Sequence, residues 1–184
     1  MESRIVYFDK PGRANTDTTL QAARTRADEL GIRQMTVATT HGYTALRARE
    51  ILDGLDVKIT AVSICAAFDE KGWTLTAAER ERLERDGIRV VTSVHALGDD
   101  VSDALVKTAP GVIVRETLYT FCQGMKVAVE VALMAADAGL LAMQEEVISV
   151  AGTEEGADTA VILKPAYTRQ FKKLRVREIL AKPR

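Results

Sequence analysis

Cysteine is scarce in this chain, with only Cys65 and Cys122 in 184 residues. The two lack CxxC spacing and stand in apolar surroundings. That excludes a disulfide framework and predicts two reduced core thiols of a cytosolic protein. Histidine is equally rare, with His41 and His95 alone. Neither shows metal spacing with a cysteine or carboxylate, so no metal site is predicted. The most apolar stretch, Val127 to Met143, is interrupted by Glu130 and Asp137. It is too broken for a membrane span and reads as a buried helix of a soluble domain. A secretory pattern is missing at the N-terminus, where charges and turn residues begin by Glu2, Arg4 and Asp9, and a cytoplasmic location is expected. Net charge is close to zero, at −1, so nucleic acid and membrane are not expected partners. GxSxG, GxxxxGK[ST] and GxGxxG are all lacking, which leaves nucleophilic hydrolysis and nucleotide triphosphate chemistry unsupported. Ser63 and Cys65 follow a strand, but neither has a base partner identifiable in the sequence.

What is present suits one folded domain over residues 1–184, with 47% hydrophobic and 28% charged residues and no repeat, low-complexity tract or dividing linker. Residues 171–184 carry a local charge of +5, read as a solvated face or a terminal edge strand protecting its exposed backbone.

Along the chain, strands and helices alternate. Strands are expected at Ile5–Phe8, 35–39, Val57–Ile64 and Ile88–Val91. Helices are expected at Thr18–Leu30 behind Asn15 or Thr16, at Thr44–Leu52, and over 77–85 behind Thr76. Asp99–Lys107 reads as a short helix. A long helical region follows from Val112 to Ala138, broken at Gly124. The end differs, with strands at Val147–Ala151, Thr159–Leu163 and Leu174–Ile179, the first two joined by a Gly152–Gly156 turn. Helices of this length between strands imply parallel crossovers, and the late strands supply an antiparallel portion. The expected fold is a three-layer α/β/α sandwich around a largely parallel sheet. In such sheets ligands collect at the carboxyl ends of the strands, near a topological switch point. The rim loops are therefore 9–15, 39–44, 64–73 and 92–98.

The most informative stretch runs from Met35 to Ala48. An apolar, β-branched run ends at Thr39, Thr40, His41, Gly42, Tyr43 and Thr44, then passes into a helical pattern. A helix start carries unpaired N–H groups and the positive end of the peptide dipoles, so it attracts anions. Hydroxyls of Thr39, Thr40 and Thr44 add donors for a phosphate. Local chemistry equally allows Thr40 or Thr44 to be a plain helix cap and Gly42 a turn.

Several single residues carry two readings. His41 is either an anion contact or an exposed turn residue, and Tyr43 either stacks on a ligand ring or packs at the helix entry. His95 lies on the same rim, as an acid, base or ring contact, or as a structural histidine. Lys126 and Glu130 sit four apart on one helix face. Both are costly to bury unpaired, so they pair with each other or with another polar group. Their sharper reading is a pair bordering the pocket, with Glu130 as proton or hydrogen-bond acceptor. Asn15 starts the first long helix, a second candidate anion site with Lys10 and Arg13 nearby. Asp137 near a helix end opposes the dipole there and calls for a specific partner. Trp73 either covers a ligand or anchors its loop, and Asp158–Thr159 is placed to bond a sugar or ring edge.

Val37–Ala45 resembles the hydroxyl-rich loop of the pyruvate kinase C-terminal domain, which in that family cradles the phosphate of an allosteric sugar bisphosphate. More of the chain resembles a group of small stand-alone bacterial and archaeal proteins built on that domain. The match runs through Tyr7-Phe8-Asp9-Lys10-Pro11-Gly12 with Asn15-Thr16, the Thr39–Thr44 loop, Gly124-Met125-Lys126-Val127-Ala128-Val129-Glu130, Met134-Ala135-Ala136-Asp137, Gly156-Ala157-Asp158-Thr159-Ala160 and Lys164-Pro165-Ala166.

The resemblance implies the pyruvate kinase C-terminal-like fold. It also implies a phosphorylated small molecule as ligand, with flavin mononucleotide (FMN) the leading candidate. The residues weighed above, Asn15, the 39–44 loop, His95, Lys126 and Glu130, are the candidate contacts. It argues against pyruvate kinase activity, because that active site lies in a barrel domain outside this sequence. Two other readings stay open. One is an enzyme, flavin-dependent or acting on a sugar phosphate, with His95 or Glu130 handling protons. The other is a regulatory module whose helices dock on a second copy, as a homo-oligomer, or on a partner, as the related domain does within a tetramer.

Overall fold

Alternation of apolar side chains along the strands decides which face each residue serves. In the computed structural model, which describes residues 3–97 and 110–184, neighbouring residues of one strand enter different cores. Ile148 and Val150 join one cluster, with Leu20, Met35, Val37, Ile59, Leu83 and Ile162. Val147 and Ala151 join the other, with Val62, Met125, Val129, Leu133, Val161 and Leu163. A sheet apolar on both faces must be covered on both.

The strands are β1 (Val6–Phe8), β2 (Gln34–Ala38), β3 (Lys58–Ile64), β4 (Arg89–Ser93), β5 (Val147–Ala151), β6 (Thr159–Lys164) and β7 (Arg175–Pro183). They form one seven-stranded sheet in the order β1-β7-β6-β5-β2-β3-β4. β2 pairs parallel with both β3 and β5, β3 with β4, and β1 with β7. β6 runs antiparallel to β5 and β7. The first core packs under α1 (Thr16–Leu30), α2 (Tyr43–Ile51) and α3 (Ala77–Arg85); the second packs under α5 (Gln123–Asp137), which α4 (Pro110–Tyr119) flanks. The result is the three-layer α/β/α sandwich expected. The expected helix Asp99–Lys107 lies outside the described residues.

β2 is where the winding reverses. The chain leaves it towards β3 and β4, then returns across α4 and α5 to β5 on its other side. Deep in the sheet at this junction, the Thr36 hydroxyl donates to Ser149 Oγ (2.8 Å), which donates to the Ala128 carbonyl of α5 (2.6 Å). Three buried polar groups are thereby satisfied, and α5 is fixed over the switch point.

Some expectations are corrected. The break between α4 and α5 falls at Thr120–Cys122, not at Gly124. Gly124 lies in the first turn of α5 because a Cβ there would come within 2.2 Å of Thr159 Oγ1; the glycine serves close packing against β6. The basic C-terminal segment is no edge strand, since β7 lies between β1 and β6. β1 covers only Ala181–Pro183 of it. Arg175 and Arg177 fall on the stretch whose backbone β1 leaves uncovered, which is where charge deters strand addition. Cys65 and Cys122 are free and half-buried, not core residues. Each precedes a helical element at the rim. Asp158 is fully buried and accepts from Gly12 N (2.9 Å), Thr153 N (3.1 Å) and the Thr159 hydroxyl (2.8 Å). Its oxygens brace loops and are not offered to a sugar or ring. Asp137 meets the Thr168 backbone N–H (3.1 Å) and hydroxyl, the specific partner its place in the helix called for. No helix among the described residues is long and apolar enough to cross a membrane.

Candidate functional site

The loop after β2 folds around Gly42, which sits in the left-handed region at φ 85° and is the N-cap of α2. Its N–H donates to Thr39 Oγ1 at 2.9 Å. No side chain caps the helix, so the plain-cap reading of Thr40 or Thr44 fails. Both hydroxyls remain without a hydrogen-bond partner among the described residues. Thr44 is only 5% exposed as a residue; Arg89 Nε is the buried side-chain atom left without a partner among the described residues, so Thr44 keeps its covered face to the protein and its hydroxyl open. Its hydroxyl lines a cavity, together with Thr39, Thr40, His41 and Tyr43. The first-turn N–H groups of α2 point the same way along the helix axis, as at any α-helix start.

That cavity measures about 570 Å³ and lies at the carboxyl rim, over the switch point between β2 and β5. Ala38 of β2 and Val62–Ile64 of β3 form its base. α5 lends Gln123, Lys126, Glu130 and Met134, α4 lends Arg115 and Tyr119, and the β5–β6 turn lends Gly152, Glu154 and Glu155. The expected residues Thr39, Thr40, His41, Tyr43, Thr44, His95, Lys126 and Glu130 are thus gathered on one wall set. Gly42 shapes the loop from behind, against Leu83. Asn15 is not among the lining residues; its side-chain amide donates to the Lys10 carbonyl at 2.8 Å.

Charge is distributed unevenly around the cavity. Lys126 Nζ lies 2.5 Å from Glu130 Oε2, with the two residues 3% and 2% exposed. Glu130 also accepts from Leu97 N (3.3 Å), and His95 Nε2 stands 4.0 Å from the same carboxylate. His41 faces away from the threonines: Nε2 lies 2.9 Å from the Gly72 carbonyl and Nδ1 3.2 Å from Glu79 Oε1. A carbonyl only accepts, so Nε2 carries the hydrogen there. Glu79 closes a capping box with Thr76 at the start of α3. Burial pushes its carboxyl up, but the Thr76 N–H and hydroxyl and the His41 ring outweigh this and hold it below the ordinary glutamate value. His41 therefore ties the 39–44 loop to α3.

An aromatic wall lies on the rim beyond β3. Trp73 stacks on Phe68 at 6.0 Å with an interplanar angle of 6°, and His95 meets Phe68 edge-on at 5.5 Å. All three line the cavity. Phe68 and Tyr119 were not legible beforehand, because the 65–74 loop and the outer turn of α4 carry no periodic pattern. Arg115 and Gln123 were missed for the same reason. Arg13, expected beside the Asn15 helix start as a charge for an anion or a solvated cation, lines this cavity instead; its guanidinium sits 4.0 Å above the Tyr43 ring and 3.2 Å from Glu155. Among the described residues, no group of three or more His, Cys, Asp or Glu is placed to hold a metal ion. The arrangement joins hydroxyl and N–H donors, an aromatic wall and a buried ion pair in one concave site, a combination suited to a small molecule with an anionic end and a flat ring.

The family model described as "Pyruvate kinase, alpha/beta domain" matches residues 17–163. Among solved structures, a pyruvate kinase from Cryptosporidium parvum is similar at 13% identity and a TM-score of 0.41, over 82% of this chain and 23% of that one. The same organism's pyruvate kinase in complex with ADP is similar at 15% identity and a TM-score of 0.39, with the same coverage. An SAH-bound methyltransferase from Podospora anserina is similar at 14% identity and a TM-score of 0.37, over 76% of this chain and 53% of that one. The chain thus spans about a quarter of the length of the pyruvate kinases it matches.

Proposed function

Since this chain belongs to the pyruvate kinase α/β-domain family, we propose that its rim cavity binds a phosphorylated small molecule, with flavin mononucleotide as the ligand. One observation carries the reading: Thr44, at the start of α2 and almost wholly covered, lines the cavity, and its hydroxyl has no protein partner among the described residues. A phosphate oxygen would satisfy it, together with the Thr40 hydroxyl and the first-turn N–H groups of α2. The donor set suits a phosphate, and the aromatic residues Phe68, Trp73 and Tyr119 on the lining suit a flat ring such as an isoalloxazine. The volume lies within the range of small-molecule sites.

A bound flavin supplies one- and two-electron redox chemistry. The chain's own contributions are to grip the phosphate through Thr40 and Thr44, to flank the ring with aromatic faces, and to present the Lys126–Glu130 pair to its polar edge.

Titration of the purified chain with FMN tests the reading. Visible flavin absorption should perturb and flavin fluorescence should quench on binding. Thr40→Ala with Thr44→Ala should weaken FMN about 10- to 100-fold, the loss expected for two hydrogen bonds to a charged group. Unchanged affinity would reduce the loop to a turn, and no binding of FMN at all would remove the flavin.

A further inference from the structure

The phosphate end of the cavity has neutral donors of its own, yet a phosphate monoester is close to a dianion near neutral pH. Most charges around it are already engaged. Lys126 is bonded to Glu130, His41 meets Glu79, and Arg115 lies 2.9 Å from Glu116. Arg13 differs in where it stands and in how loosely it is held. Its guanidinium lies over the ring of Tyr43, the first residue of α2, and Arg13, Tyr43 and Thr44 all line the cavity. Its ion-pair partner, Glu155, is 75% exposed and Arg13 itself 55%, and exposed pairs of this kind hold weakly.

The backbone that carries Arg13 is, by contrast, firmly set. β1 lies four places from β2 in the sheet, so nothing local brings its loop to this cavity. Buried Asp158 draws the Gly12 N–H across at 2.9 Å. Thr16 Oγ1 donates to the Arg13 carbonyl (2.7 Å) and accepts from Ala157 N (3.0 Å). Gly156 packs so closely that a Cβ there would fall 2.7 Å from Arg13 Cα. A rigid base thus presents a side chain that is free to change partner.

We infer that Arg13 is the residue by which this cavity distinguishes a phosphate dianion from an uncharged ligand, with Glu155 holding its guanidinium until the phosphate takes it over. The inference rests on the reading of the rim cavity as a phosphate site. Planar guanidinium and phosphate match in a two-pronged hydrogen bond, which a single exposed carboxylate contact does not equal. Glu155 is a competitor for Arg13, and Arg13 is a direct ligand contact.

The test compares FMN with riboflavin, which differs only by the phosphate, in the wild-type chain, Arg13→Gln and Glu155→Gln, by fluorescence titration at low and high salt. Arg13→Gln should weaken FMN about 10- to 100-fold and leave riboflavin unchanged. Glu155→Gln should tighten FMN about 2- to 5-fold at low salt, again without effect on riboflavin. If the wild type prefers FMN and Arg13→Gln keeps that preference, the role of Arg13 is overturned while the phosphate site stands. If the wild type binds both flavins equally, the phosphate site falls and Arg13 with it. If it binds neither, line broadening of inorganic phosphate in ³¹P spectra decides. Broadening by the wild type that is lost in Arg13→Gln supports the inference. Broadening retained in that variant, or absent from the wild type, overturns it.

Discussion

Gly42 shows how one backbone angle sets the chemistry of the site. At φ 85° it turns the chain so that its own N–H reaches Thr39 Oγ1 and α2 begins at Tyr43. A side chain in this region costs about 1–2 kcal/mol, and the Cβ would also touch Leu83 Cδ2 at 3.4 Å. Gly42→Ala should therefore lower the unfolding free energy by about 1–2 kcal/mol and loosen FMN binding, measured by urea denaturation and fluorescence titration. A fully stable variant that binds FMN normally would mean the turn tolerates another geometry. At this scale much was legible. Hydroxyls around one glycine between a β-branched run and a helical pattern announced the loop, and the spacing of Lys126 and Glu130 announced their pairing. The direction of His41 was not legible, since Gly72 and Glu79 reach it only through tertiary contact. Phe68, Tyr119 and Arg115 escaped because irregular segments and half-exposed helix faces carry no period to read.

Elements are joined by fewer, stronger contacts. Arg26 of α1 grips Glu178 of β7 with two hydrogen bonds, Nε to Oε2 at 2.8 Å and Nη2 to Oε1 at 2.7 Å. Both side chains are under a fifth exposed. The guanidinium holds the Glu178 carboxyl below its ordinary value of 4.5, against a smaller opposing push from burial. A carboxyl depressed in the folded state lends stability that is complete above its unfolded value and disappears as pH falls through its folded value. The window therefore opens near pH 4.5 and extends below it. Glu178→Gln should lower stability by on the order of 1–3 kcal/mol near neutral pH and flatten the acid limb of the stability curve. Equal steepness in both proteins would show that the pair does not link α1 to β7. Element boundaries were legible where a glycine or a cap residue marked them, as Thr76 did for α3. Gly124 misled because the glycine that ends helices elsewhere here admits Thr159 against one.

The order of strands across the whole sheet could not be read locally. β7 pairs with β1 at the opposite end of the chain, and β6 alone runs against the rest. Such pairings depend on chain segments far apart in sequence, and only their parallel or antiparallel sense is hinted at by connection length. The consequence reaches the site. Its wall takes Tyr43 and Thr44 from the helix layer over one core and Lys126, Glu130 and Met134 from the layer over the other, with sheet residues between. A ligand seated there touches both layers and the sheet, and it can do so only in the folded state. Binding confined to the folded state adds stability that grows with ligand concentration, about 2.7 kcal/mol at a hundredfold excess over Kd. For a chain of this length each kcal/mol moves the midpoint by roughly 2–4 °C. FMN at that excess should thus raise Tm by roughly 5–10 °C, as one cooperative transition followed by far-ultraviolet circular dichroism. Riboflavin at the same concentration should raise it less if the proposed phosphate grip holds, since it has no group to engage the α2 donors and Arg13. A midpoint indifferent to FMN at saturation would mean the cavity holds no flavin, and two separate transitions would mean the layers respond apart.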